Sequence, residues 1–162
     1  GAYTEDGTIH AATLDRINAK FKTAKRLVPP PVVRTLSTKS RLGIINYGST
    51  EPAVREALAL TMRDGHGLNH MRLRAFPFGR EVIDFIERHD FLFVVEQNRD
   101  AQMRQLLMVE AGAPAEKLVP ITNYDGLPLT ADFIVNAVYA ALEKNSLVAG
   151  ASAPPITTAQ RD

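Results

Sequence analysis

The sequence predicts an α/β fold: three layers, with helices on both faces of a mostly parallel five-stranded sheet whose first strand is antiparallel. Three observations carry this. Strand and helix patterns alternate from Val32 to about Asn145. Phe91-Leu92-Phe93-Val94-Val95 is an unbroken apolar run of strand length, as expected of a strand buried on both faces. The segment joining the first two strands is short, and parallel neighbours need a long crossover, so that pair is expected to be antiparallel.

Each element follows from its own pattern. Leu14, Ile17, Phe21, Ala24 and Val28 recur at helical spacing and form a narrow apolar stripe. Pro29-Pro30-Pro31 ends that helix and makes a stiff connector. Val32–Leu36 is a short strand, expected to pair with the buried strand Gly43–Tyr47. After the turn Gly48-Ser49-Thr50, a helix runs to about Arg63 with Val54, Ala57, Leu58 and Thr61 inward. Asp64-Gly65-His66-Gly67 ends it, because glycine accepts the left-handed conformation of helix ends.

Leu68–Leu73 is the third strand. Pro77 and Gly79 introduce a helix to His89 with Val82, Phe85 and Ile86 inward. The strand at 91–95 follows, then a helix after Asn98, then a strand at Leu118–Ile121. Thr130 is placed to cap a final helix whose face is Phe133, Ile134, Ala137, Val138, Ala141 and Leu142. The organisation is therefore a linker helix and proline connector (1–31), an α/β domain (32–145) and an Ala/Ser/Thr/Pro-rich tail (146–162), expected to be mobile.

Composition excludes some chemistry. The 162 residues are 45% hydrophobic and 23% charged with a net charge of +1, which gives no drive toward nucleic acid or membrane. There is no cysteine, hence no disulfide, thiolate nucleophile or cysteine-ligated iron–sulfur cluster within the chain. No apolar run is long enough to span a membrane and no signal-peptide pattern opens the chain, so a cytoplasmic setting is expected. The first residue is Gly1; a processed terminus, a tag remnant and a fragment of a longer chain all account for it.

The turns after the strands at 43 and 91 hold the candidate contact residues: Ser49, Thr50, Glu96, Asn98 and Gln102. Strand carboxyl ends are where open α/β sheets present functional groups. Gly48-Ser49-Thr50-Glu51 lacks the phosphate-loop and dinucleotide glycine patterns, and Glu51 puts negative charge where an anion would sit. Capping by Ser49 or Thr50, with Pro52 in the first turn, is the expected role. Asn98 is a suitable N-cap, and Asp100 suits the helix dipole. Glu96, a carboxylate ending a buried strand, either pairs within the domain or meets another one. If it faces solvent in the isolated chain, Glu96→Gln should cost little stability.

No second acid or base is fixed beside Glu96, so no catalytic, cofactor-binding or metal residue is assigned. His66 and His70 have metal-pair spacing, but Gly65 and Gly67 argue against a helix there. Eight basic residues within 15–41, against Asp15 alone, suit a nucleic-acid or acidic-partner patch. With no aromatic interleaving, the solvated face of a linker helix is favoured.

Several strings occur in a telling order: Tyr47-Gly48-Ser49-Thr50, Arg55-Glu56-Ala57-Leu58, Met71-Arg72-Leu73-Arg74-Ala75-Phe76-Pro77-Phe78 and Val94-Val95-Glu96-Gln97-Asn98. Gln102, Leu106-Leu107 and Tyr124-Asp125-Gly126-Leu127-Pro128 continue the set. Together they resemble the C-terminal, transketolase-C-like region of the alpha subunit of 2-oxoacid:ferredoxin oxidoreductases, in particular the 2-oxoglutarate type. Thr4-Glu5-Asp6-Gly7, His10 and Arg16 to Lys20 resemble the connector leading into it. Ala101 departs from the pattern, standing where the family has glycine.

The resemblance implies an enzyme that converts a 2-oxoacid to an acyl-coenzyme A and passes electrons to ferredoxin. It implies thiamine diphosphate, Mg²⁺ and iron–sulfur clusters for that whole enzyme, and none of them in this chain. The expected partners are the rest of the alpha subunit and the beta subunit, with coenzyme A and ferredoxin at the level of the whole enzyme. Glu96, Asn98 and Gln102 match a polar motif expected to contact other domains or subunits. The alternative is a free-standing α/β module that binds a nucleotide or a protein partner.

Overall fold

Where the chain leaves the sheet is decided by how its two apolar faces are covered. The computed structural model describes residues 3–149, with side chains through Lys144. The order is α1 (Gly7–Leu27), β1 (Val32–Arg34), β2 (Leu42–Tyr47), α2 (Glu51–Arg63), β3 (Asn69–Leu73), α3 (Arg80–Glu87), β4 (Phe91–Glu96), α4 (Gln102–Ala111), β5 (Leu118–Thr122) and α5 (Ala131–Ala149). Period-2 alternation sends Ile44, Phe93, Val95 and Ile121 to one face, where α2 and α5 cover them with Val54, Leu58, Ile134 and Val138. Ile45, Met71, Leu92 and Val94 point to the other, under Val82, Phe85 and Ile86 of α3 and Leu107 of α4. The result is the expected three-layer α/β/α arrangement.

The sheet order is β1-β3-β2-β4-β5. β2 is parallel to both β3 and β4, and β4 is parallel to β5. β1 is antiparallel, as expected, but its partner is not: it pairs with β3, through Val32↔Arg72, Val33↔Met71 and Arg34↔His70, and not with β2. The reason is the connection at 35–41, which does not turn tightly but crosses the start of β3. Asn69 holds it there. Its Oδ1 accepts from the backbone N–H of Leu36 (3.0 Å) and Ser37 (3.1 Å), and its Nδ2 donates to the Ser40 carbonyl (3.3 Å). β1 accordingly stops at Arg34, short of the expected Leu36.

Gly43 is fixed by close packing: a Cβ there would meet Leu92 Cδ2 at 2.7 Å and the Phe85 ring at 3.2 Å. Thr130 caps α5 as expected, its Oγ1 accepting from Phe133 N–H at 3.3 Å. α5 runs to Ala149, past the expected start of the tail at Ser146; 150–162 lie outside the described residues. α1 is capped by Asp6, whose Oδ1 accepts from Thr8 N–H (2.8 Å) and Ile9 N–H (3.3 Å), yet it buries no residue. Its stripe is exposed at Leu14, Ile17 and Phe21, and the Phe21 ring meets Phe76 edge-on at 6.2 Å. No helix among the described residues is long and apolar enough to cross a membrane.

Candidate functional site

From β2 the chain moves outward on one side to β3, then returns past β2 to β4 and on to β5. The strand order therefore reverses between β2 and β4, and the crevice outside their carboxyl ends is the place where such sheets take ligands or partners. Ser49 and Thr50 follow β2; Glu96 ends β4; Asn98 and Gln102 follow it. The structure brings all five expected contact residues to this one rim.

Glu96 is fully buried (0% exposed), which differs from the solvent-facing group considered from sequence. Its Oε2 accepts from the Met103 backbone N–H at 2.7 Å and from Asn98 Nδ2 at 2.7 Å, and its Oε1 accepts from the Arg104 N–H at 3.1 Å. The first amides of a helix lack intrahelical acceptors and carry the positive end of its dipole. A carboxylate at the end of a buried strand satisfies both needs. The capping role given to Asn98 is thus shared. α4 starts at Gln102, not directly after Asn98, and the Asn98 Oδ1 accepts from Asp100 N–H (3.1 Å) and Gln102 N–H (3.2 Å).

Ala101 takes up the sharp corner before α4, with φ 51° and ψ 50°. This is the left-handed region, where a Cβ is strained and glycine is not. It is also the position where the family resemblance led to glycine. Gln102 is exposed, and its side chain makes no hydrogen bond among the described residues.

Neither Ser49 nor Thr50 caps α2, contrary to expectation. The chain enters α2 through a 3₁₀ turn, so Thr50 is already helical (φ −73°, ψ −11°) and its side chain turns backward. Its Oγ1 donates to the Tyr47 carbonyl at 2.7 Å. Ser49 Oγ instead reaches across the crevice to Gln97 Oε1 (3.1 Å), and Gln97 Nε2 donates to the Leu127 carbonyl (3.4 Å). Side chains therefore tie the β2, β4 and β5 loops together. Tyr47 lies beneath them, its phenol pKa raised by burial and by the Glu96 charge.

Under α2 lies a polar layer that the sequence did not single out. Asn46 donates through Nδ2 to Thr50 Oγ1 (3.1 Å) and Glu51 Oε2 (3.3 Å), which leaves its Oδ1 to accept from His70 Nε2 at 2.8 Å. Glu51 pairs with Arg34 (3.3 Å) and lies 3.9 Å from Arg72 Nε. His70 is fully buried, and burial lowers its pKa to about 4. Its Nδ1 has no hydrogen-bond partner. The signal was a polar residue inside an otherwise apolar strand, Ile44-Ile45-Asn46. His66, by contrast, sits against the Tyr139 ring (centroids 5.3 Å apart), so the two histidines do not converge.

Among the described residues the crevice holds no nucleophile with an adjacent base, and its buried carboxylate is committed to helix amides. What it offers is a shaped, hydrogen-bonded rim. Beside it, Tyr124 and Leu127 on the β5–α5 loop are each 67% exposed.

No protein-family model matches the sequence, and no curated protein matches it. Solved structures do. The fold is similar to 2-oxoglutarate:ferredoxin oxidoreductase from Magnetococcus marinus, solved with 2-oxoglutarate, coenzyme A and succinyl-CoA bound, at 24% identity and a TM-score of 0.73. That likeness covers 86% of this chain and 24% of the other, so this chain spans about a quarter of that protein's length. The alpha chain of a probable 2-oxoacid ferredoxin oxidoreductase from Thermoplasma acidophilum matches at 22% identity and a TM-score of 0.48, over 70% of this chain and 97% of that one. At these identities the first likeness establishes a shared fold.

Proposed function

We propose that this chain is the C-terminal, assembly-supporting domain of the alpha subunit of a 2-oxoacid:ferredoxin oxidoreductase of the 2-oxoglutarate type. The observation that carries the reading is the likeness over 86% of the chain to 24% of the length of a 2-oxoglutarate:ferredoxin oxidoreductase chain. The ordered strings from Tyr47 to Pro128 support it independently of the coordinates. The whole enzyme would turn a 2-oxoacid into an acyl-coenzyme A in the cytoplasm, with ferredoxin as electron acceptor.

The residues present do not fit that enzyme's iron–sulfur clusters. Iron–sulfur clusters need thiolate ligands, and the chain has no cysteine. Other parts of the alpha subunit and the beta subunit would hold these groups. The part left to this domain is mechanical. Glu96 and Asn98 set the start of α4, while Ser49, Gln97 and Gln102 present a polar rim beside Tyr124 and Leu127. In this reading Gln102 and the Tyr124–Leu127 loop touch the neighbouring domain or subunit. Glu96 and Thr50 act from beneath by holding the rim in shape.

The test is a comparison of variants in the full-length enzyme. Gln102→Arg and Tyr124→Asp should lower subunit association in gel filtration and reduce turnover in proportion. The isolated chain should not decarboxylate 2-oxoglutarate when thiamine diphosphate and Mg²⁺ are supplied. Turnover by the chain alone, or full association of both variants, would contradict the reading.

A further inference from the structure

A groove of about 610 Å³ lies between the end of α1 with its proline connector and the loop that leads from β3 into α3. Its apolar floor includes Val28, Pro30, Pro77 and Phe78. Lys25 and Arg26 stand on one wall and Arg74 on the other. Among the described residues, none of these three cations takes part in an ion pair or hydrogen bond. The comparison with their neighbours is informative. Arg34 and Arg41, from the same basic stretch, are neutralised by Glu51 and Asp90, and Arg80 on the groove wall is held by Asp84 and Glu87. The acid on the wall, Glu81, folds its carboxylate back against Gly79.

We propose that this groove binds a small phosphorylated ligand carrying two or more negative charges. The volume lies in the range of small-molecule sites. Cations on opposite walls are best satisfied together by a multiply charged anion, and guanidinium groups match phosphate oxygens in geometry as well as charge. The proline and phenylalanine floor suits a flat apolar group attached to the phosphates. The proposal does not rest on the assembly reading, since none of the residues lining the groove belongs to the β2–β4 rim.

The experiment is a calorimetric titration of the 162-residue chain with three probes: pyrophosphate, ADP and adenosine. Pyrophosphate and ADP should each bind saturably at one site, and adenosine should bind much more weakly. Arg74→Gln and Lys25→Gln should each weaken ADP about tenfold or more, as expected for one lost charge-assisted contact. Arg16→Gln, on α1 but off the groove wall, should leave it unchanged. ADP binding tighter than pyrophosphate identifies a nucleotide-like ligand; equal affinities identify a free phosphate compound. The proposal is overturned if neither anion saturates, if adenosine binds as well as ADP, or if the two groove variants, folded by circular dichroism, bind ADP like the parent chain.

Discussion

The Glu96 carboxylate lies 2.7 Å from the backbone nitrogen of Met103, joining the carboxyl end of a central strand to the first turn of the next helix. The contact is buried, and a second oxygen holds the Arg104 amide as well. Glu96→Gln replaces one acceptor with a donor that faces N–H groups, and removes the charge that answers the helix dipole. We expect a loss of about 1–3 kcal/mol in urea unfolding of the isolated chain. This replaces the small cost expected if Glu96 faced solvent. A change below about 0.5 kcal/mol would mean that the amides find another acceptor.

Ala101 allows the opposite test. Its left-handed backbone (φ 51°) strains a Cβ and suits glycine. Ala101→Gly should raise stability by up to about 1 kcal/mol, the relief of strain being partly offset by greater freedom of the unfolded chain. Thermal melts of the two proteins measure it; a lower melting temperature for the glycine variant would contradict it.

Asn69 organises the edge of the sheet. Besides holding Leu36, Ser37 and Ser40, its Nδ2 donates to His89 Nε2 at 3.1 Å, while His89 Nδ1 donates to the Phe85 carbonyl at 2.6 Å. Asn69→Ala should cost about 2–3 kcal/mol, because several part-buried polar groups lose their partner at once. Faster amide exchange at Leu36 and Ser37 should accompany the loss, and unchanged exchange there would sink the assignment.

His70 predicts a pH dependence. Its pKa falls from the ordinary value near 6.5 to about 4 because burial opposes the charge; Arg34, Arg72 and Arg55 add to this and Glu51 works against it. The unfolded chain therefore binds the proton more readily. The stability contribution is complete above about pH 6.5 and is lost as pH falls toward 4, by at most about 1.4 kcal/mol per pH unit. His89, also lowered chiefly by burial, acts in the same direction. His70→Asn should flatten the urea midpoint between pH 7 and pH 5, whereas an unchanged slope would assign the proton elsewhere.

The layers were legible in the sequence because each depended on local periodicity: the apolar run at 91–95, the inward sets of α2 and α3, and most of that of α5, where Phe133 faces outward (41% exposed) and Ala131 and Val135 are buried instead. The strand beside β1 was not, since connection length limits reach but does not choose a partner. That choice lay in the Asn69 side chain, a single polar residue at the start of a strand. The rim residues were legible as a group because they follow strand ends. Their individual roles depended on backbone entry into the helix. Thr50 is already helical and cannot cap, and Glu96 meets α4 only because Ala101 turns the chain back toward it.

The central claim is membership of a larger 2-oxoacid oxidoreductase, and purification of the full-length gene product with its native partners tests it most directly. Thiamine diphosphate and iron would be quantified in the purified material, and coenzyme A-dependent oxidation of 2-oxoglutarate assayed with ferredoxin as acceptor. The account predicts a second subunit, both cofactors and turnover in one co-eluting peak. A single free-standing chain that carries neither thiamine diphosphate nor iron and shows no turnover would contradict it.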